Sequence, residues 1–271
     1  MSLVVLSCFA GRRDNLRILF RYVDKLVELG LVHEFHLWDY TRNIDDTIWL
    51  NAEYLKHSKY ILKSVNNKTI WKEYYDHYTE ELYPDHIIIK TDDDILYIDI
   101  QSFEKYINFR RADDETLLLF PSIVNNGVCA FVQQQSRLLN IPEEFPYDPA
   151  FGKLWESGQL CNILHNYFID NLDSWLEKTS NIHFVSCLQG HRFSINFFAI
   201  KSKDLHYFKY IQLRDDEEDL TMHIPVKYNR NHGIYMPFTV AHLAFFKQRE
   251  TGLNERDILE KYMKLSDKVL V

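Results

Sequence analysis

The sequence predicts an α/β fold: a single domain built on a mostly parallel sheet flanked by helices, with a smaller mixed region in the second half. Three observations lead there. Short apolar runs alternate with helix-periodic stretches through the first hundred residues, the rhythm of parallel strands joined by crossover helices. The 271 residues are 46% hydrophobic and 15% aromatic, enough to bury a sizeable core. No internal repeat, low-complexity tract or linker interrupts the chain, so one domain is expected over residues 1–271.

Residues 3–9 are a run of Val, Leu, Cys and Phe closed by Ala10-Gly11, the profile of a strand buried on both faces. Asp14 and Asn15 open a helix in which Leu16, Leu19, Phe20, Val23, Leu26 and Val27 recur at helical spacing until Gly30 stops it. A second strand is expected over 33–40, a helical stretch over 44–58, a third strand over 60–65 and a helix over 69–82. A fourth strand, 86–90, runs straight into Thr91-Asp92-Asp93-Asp94. The second half is less regular. It reads as a helix near 102–110, a strand over 117–120, an uncharged segment over 121–135, a helix over 160–178, and strands near 183–187 and 193–200. An acidic run, 215–219, precedes a polar loop, and 238–246 is a last strand-like run. Asn254 is expected to cap a tail helix with Ile258, Leu259, Tyr262 and Leu265 on one face.

Composition removes several functional classes. The glycines stand at 11, 30, 127, 152, 158, 190, 233 and 252, so neither G-x-G-x-x-G nor G-x-S-x-G exists, and Gly152-Lys153 lacks the upstream glycine of a P-loop. A net charge of −8 without a basic run leaves no electrostatic footprint for nucleic acid. Cysteines 8, 129, 161 and 187 lack C-x-x-C spacing and read as buried thiols of a reducing compartment. The apolar start is followed, not preceded, by Arg12-Arg13, the wrong polarity for a secretory signal. The longest uncharged stretch, 116–136, contains Pro121 and a run of amides, unlike a membrane span. A soluble, cytoplasmic protein is expected.

Sheets of this kind collect ligands outside the carboxyl ends of their strands, where Arg12, Asp39 and the triple aspartate all fall. In extended backbone Asp92 and Asp94 point to one side and Asp93 to the other. Two hard oxygen ligands at a strand end suit Mg²⁺ or Mn²⁺; the alternative is that they solvate the strand end or cap the next element. Gly11 permits close approach of backbone to a ligand, Arg12 or Arg13 offers a guanidinium to a diphosphate or base, and Asp39 an acceptor to a uracil N–H. Helix entry and turn chemistry explain the same residues without a ligand. Lys247 and Arg249 are further phosphate candidates or solvated strand ends.

The stretch Lys90-Thr91-Asp92-Asp93-Asp94-Ile95, the opening strand with Gly11-Arg12-Arg13, and the late Val240-Ala241-His242-Leu243-Ala244-Phe245-Phe246-Lys247-Gln248-Arg249 together resemble the metal-dependent, sugar-nucleotide glycosyltransferases of the GT-A fold. The likeness is greatest to small soluble members from large algal viruses and bacteria. It implies a Rossmann-like GT-A domain with a nucleotide-sugar-binding half over about 1–115, an acceptor half over about 116–250 and a C-terminal helix over 251–271, in the cytoplasm of a bacterium or virus-infected host cell. It implies Mn²⁺ or Mg²⁺ held by Asp94, by Asp92 directly or through water, and by His242. Asp93 would contact the donor's ribose. The donor would be a UDP-sugar and the acceptor an oligosaccharide or glycoprotein glycan.

Inverting members of this family place a general base in a late acidic segment, which makes Asp216 the candidate catalytic base and Glu217 the next. The same acidic run reads equally as a helix N-terminus satisfying the macrodipole. His242 on an apolar strand is either a ligand or a satisfied core histidine, with His223 and His232 as weaker alternatives. Asn125, Asn126 and Gln133 to Gln135 suit hydrogen bonding to sugars or to turns, and Tyr147, Phe151, Trp155 and Trp175 suit stacking or core packing. Competing functions are a metal-dependent phosphoester hydrolase, which needs a second dense ligand cluster, and a non-catalytic carbohydrate-binding module.

Overall fold

Four parallel strands, β1 (Val4–Ala10), β2 (Glu34–Asp39), β3 (Tyr60–Lys63) and β4 (Ile87–Asp92), lie in the order β3-β2-β1-β4 in a computed structural model that describes residues 3–68, 71–147, 152–187, 190–212 and 214–270. The sheet continues through β5 (Ile95–Ile98), β6 (Thr116–Val124), β7 (Phe184–Cys187), β8 (Phe197–Lys201) and β9 (Asn231–His242). The full order is β3-β2-β1-β4-β8-β6-β9-β5, with β7 beside the first part of β9. Strands β5, β7 and β8 run against their neighbours, and the others share one direction. The chain is thus a single α/β domain on a mostly parallel, mixed sheet flanked by helices.

Period-two alternation decides which helix covers which face. Phe35 of β2 meets Phe20 of the Arg13–Glu28 helix at 5.8 Å, whereas the alternate residues His36 and Trp38 turn to Tyr78 and Tyr74 beyond the opposite face. Both faces of the first strands are therefore buried, as the unbroken apolar run of β1 requires.

Several elements depart from the sequence expectations for local reasons. The stretch expected as a helix over 69–82 is helical at Lys72–His77. β6 runs on through Pro121, which the ladder tolerates because the register shifts between Pro121 and Ser122. The uncharged segment then becomes a helix, Gly127–Gln135, whose N-cap Asn126 accepts from the Cys129 amide. The helix expected over 160–178 breaks into Gly158–Asp170 and Leu172–Thr179, where the Asn171 side chain donates to the Tyr167 carbonyl in competition with the backbone. The last strand begins earlier than expected and ends at His242, and residues Phe246–Glu250 are helical. The tail helix Glu255–Val269 forms, but Asn254 makes no side-chain cap bond to it. β5 has no counterpart in the sequence reading.

Candidate metal and nucleotide site

Strand register assembles the site at the carboxyl ends of β1, β2, β4 and β9. Ala10 lies beside Asp39, and Phe9 beside Asp92. Asp93 and Asp94 form the turn between β4 and β5, and Ile95 pairs with His242 while the Leu243 amide donates to the Asp94 carbonyl at 2.8 Å. The end of β9 is thereby pinned beside the aspartate turn. One ligand atom each from Asp92, Asp94 and His242 lie within 4.8 Å of one another. Asp92 and Asp94 converge because the chain turns, not through strand alternation.

The chemistry of this trio fits a hard divalent cation. Asp94 is buried, its Oδ1 has no hydrogen-bond partner, and its Oδ2 receives Arg12 at 2.9 Å and Arg249 at 3.2 Å. Burial alone would raise the Asp94 carboxyl, but Arg12, His242 and Arg249 hold it well below the usual carboxylate range. Burial lowers the His242 imidazole despite the pull of Asp94 and Asp92. Its Nδ1 lies 3.4 Å from the Asn125 carbonyl oxygen and its Nε2 lies 3.5 Å from Asp94 Oδ1, so one ring nitrogen is turned to the carboxylate oxygen that lacks a hydrogen-bond partner.

Asp92 is held from both sides. Its Oδ1 accepts from the buried Lys90 ammonium, which also donates to the Ile195 carbonyl at 2.6 Å, and its Oδ2 accepts from Asn196 at 3.2 Å. Asp93 turns the other way: its carboxylate accepts from the Gly11 amide at 2.9 Å, from the Arg12 amide at 2.7 Å and from the Arg12 guanidinium. Burial raises the Asp93 carboxyl against the opposing pull of Arg12. A Cβ on Gly11 would stand 3.2 Å from Asp93 Oδ2, so the close approach that glycine permits is to Asp93. Arg12 bridges Asp93 and Asp94 and fixes the β1 exit to the aspartate turn.

The remaining expected residues spread around this centre. Arg13 points to Asp46, 3.6 Å away. Asp39 Oδ1 accepts from the Thr41 amide at 3.0 Å and from Lys68 at 2.8 Å; burial raises its carboxyl, and Lys68 and Thr41 more than offset that, leaving it below its ordinary value. Lys247 lies on the surface, paired with Glu250 at 3.0 Å, whereas Arg249 two residues on reaches Asp94. Asp216 takes the Tyr75 hydroxyl at 2.6 Å, and Glu217 takes Arg192 at 2.6 Å and the Ile195 amide at 3.3 Å. Burial raises both carboxyls; Lys90 opposes this at Asp216 and Arg192 at Glu217. Asp215 caps the short helix Asp216–Glu218, accepting from the Glu218 amide.

Other candidates have internal partners. Asn125 and Gln248 exchange side-chain hydrogen bonds at 3.0 and 2.9 Å, and Gln133 donates to Ser122 and Ile123. His232, expected in a polar loop, is buried within β9, and His223 pairs with Asp219 at 3.0 Å. Trp175 is buried and donates to Thr239; Tyr147 packs on Phe131 and His191; Phe151 lies outside the described residues. Sequence reading assigned no role to Lys90, Asn196, Lys68 or Tyr75. Lys90 carried a signal, since residues two apart on a strand share a face; the other three meet their partners through tertiary contacts.

No protein-family model and no curated protein matches this sequence. Among solved structures, GalNAc-T7 with UDP, GalNAc and Mn²⁺ is similar at 12% identity and a TM-score of 0.52, over 91% of this chain and 44% of that one. The fold is GT-A-like. The GT-A-like sheet is also similar to 4-diphosphocytidyl-2C-methyl-D-erythritol synthase from Anaerococcus prevotii, at 10% identity and a TM-score of 0.47 over 97% of this chain and 96% of that one. CMP:2-keto-3-deoxy-manno-octonic acid synthetase complexed with CTP matches at 11% identity and 0.48, over 99% of both chains. At these identities the likeness is one of fold.

Proposed function

We propose that this protein is a metal-dependent glycosyltransferase that moves a sugar from a UDP-sugar to a glycan hydroxyl with inversion. The observation that carries the reading is the convergence of Asp92, Asp94 and His242 around an unpartnered carboxylate oxygen at the end of β4. A bound Mn²⁺ or Mg²⁺ supplies Lewis-acid stabilisation to the diphosphate leaving group.

The charges of the site support a diphosphate. Asp92, Asp93, Asp94 and Glu255 stand in ion contact with Lys90, Arg12 and Arg249, four negative charges against three positive. A divalent cation turns this net negative set net positive, which favours an anionic diphosphate. Arg12 and Arg249 both reach Asp94 and would bring positive charge to the side of that diphosphate. In this reading Asp39 and Lys68 face the base, Gly11 and Arg13 border the nucleotide, and Asp93 holds Arg12 at the diphosphate.

Asp216 is the proposed general base, taking the acceptor proton as its oxygen attacks the anomeric carbon, with Glu217 holding the segment through Arg192. Its raised carboxyl suits proton acceptance. Among the described residues Asp92, Asp94 and His242 form one ligand group, with no second cluster of the kind a two-metal phosphoester hydrolase needs. The direct test is NMR of a UDP-sugar panel incubated with the enzyme and Mn²⁺. UDP release that stops in EDTA is expected; absence of release from every donor, or equal release in EDTA, contradicts the proposal.

A further inference from the structure

An apolar side chain is left in solvent beside the metal cluster. Phe246 is 59% exposed and begins the short helix four residues after His242. Fully extended, those four residues span at most about 14 Å. Trp155 stands edge-on to Phe246 with ring centroids 5.2 Å apart and planes at 87°, so the two rings make a corner with one face and one wall. Phe145, Trp155 and Phe245 line a small cleft of about 20 Å³ next to the corner. The Phe245 ring packs 4.8 Å from the His242 ring, so one residue touches both the cleft and the cation cluster.

A sugar ring has the matching chemistry. One face of a pyranose presents C–H groups that pack on an aromatic face, while its hydroxyls at the edge seek polar partners. Two lysines stand at this rim, and each is already matched by a carboxylate, Lys153 by Glu143 and Lys247 by Glu250. Such pairs offer donors and acceptors to hydroxyls but no excess charge to an anion.

We infer that the Phe246–Trp155 corner is the acceptor subsite, and that it takes a neutral pyranoside ring. The assignment as acceptor rests on the glycosyltransferase reading; the ring-binding corner itself does not. Phe246 supplies the stacking face, from which a sugar displaces the Lys247 ammonium that lies 5.4 Å over the ring, and Trp155 supplies the wall at right angles to it. A charged sugar or a lipid phosphate would find both lysines engaged.

The test is saturation-transfer NMR on the full chain with methyl β-D-galactopyranoside, methyl β-D-glucopyranoside, methyl α-D-mannopyranoside and cellobiose as probes. Wild-type protein should saturate the C–H protons on one ring face of at least one probe, Phe246→Ala should lose this, and Phe246→Trp should keep it. Trp155→Ala is the second variant; because Phe246 is exposed, the outcome does not depend on whether Trp155→Ala folds. No saturation of any probe in the wild type, or equal saturation in Phe246→Ala, overturns the inference. The melting shift produced by UDP with Mn²⁺, recorded on the same wild-type sample, reports on the glycosyltransferase reading alone. A sample that binds pyranosides without that shift keeps the corner and loses the donor assignment.

Discussion

Asp94 is the residue on which the cation site depends most, because one of its oxygens is committed to two arginines and the other, without a hydrogen-bond partner, faces His242 at 3.5 Å. Asp94→Ala should abolish Mn²⁺ binding, measured by electron paramagnetic resonance of the free ion, and His242→Ala should weaken it without a matching loss of thermal stability. Retained Mn²⁺ affinity in Asp94→Ala would remove the trio as the cation site. Asp216 makes a separate prediction. Asp216→Asn should cut turnover by about 10²-fold or more, the scale of general-base loss, while UDP-sugar affinity holds. Product NMR showing the donor's anomeric configuration retained would return the acidic run to its capping role. At this scale the sequence was legible where chemistry is local: the aspartate triplet, Gly11-Arg12 and His242 come together at the candidate site. From the sequence Arg12 or Arg13 offers a guanidinium to a diphosphate or base; that Arg12 also bridges Asp93 and Asp94 is a contact across about eighty residues that spacing does not encode.

Among the elements, the parallel first half was legible because its strands are buried on both faces and its helices are amphipathic. β5 was not, because four apolar residues after an acidic turn carry no period of their own and become a strand only by pairing with β9. Pro121 and the amides of 125–135 read as irregular, yet a register shift and the Asn126 cap turn them into strand and helix. Between the helix Gly158–Asp170 and the Phe246–Glu250 helix the packing leaves no room: a Cβ on Gly158 would lie 2.3 Å from both the Gln248 carbonyl oxygen and the Leu253 nitrogen. Gly158→Ala should therefore cost about 1–3 kcal/mol in urea unfolding, the range for overpacking a close contact. A change within a few tenths of a kcal/mol would show that the two helices separate easily.

For the whole molecule, buried imidazoles set the pH response. Burial pushes His165 and His232 down to about 4. In the unfolded chain both return to about 6.5, so between these values the unfolded state binds more protons. Stability should therefore be full above about pH 6.5 and fall as pH drops toward 4, by about 3 kcal/mol for each histidine. Urea unfolding across pH 5 to 7 checks this; a flat profile would mean that the imidazoles charge in place. No described helix is long and apolar enough to cross a membrane, and the largest organised feature remains the single sheet whose strand ends gather Asp39, Asp92, Asp94 and His242. On the proposed function these strand ends hold a divalent cation which in turn holds a nucleoside diphosphate. Calorimetric titration of UDP into the wild type and Asp94→Asn, each with Mn²⁺ and with EDTA, tests it most directly. UDP should bind the wild type strongly only with Mn²⁺, and Asp94→Asn should gain nothing from the metal; UDP binding as tight in EDTA as in Mn²⁺ would contradict the account.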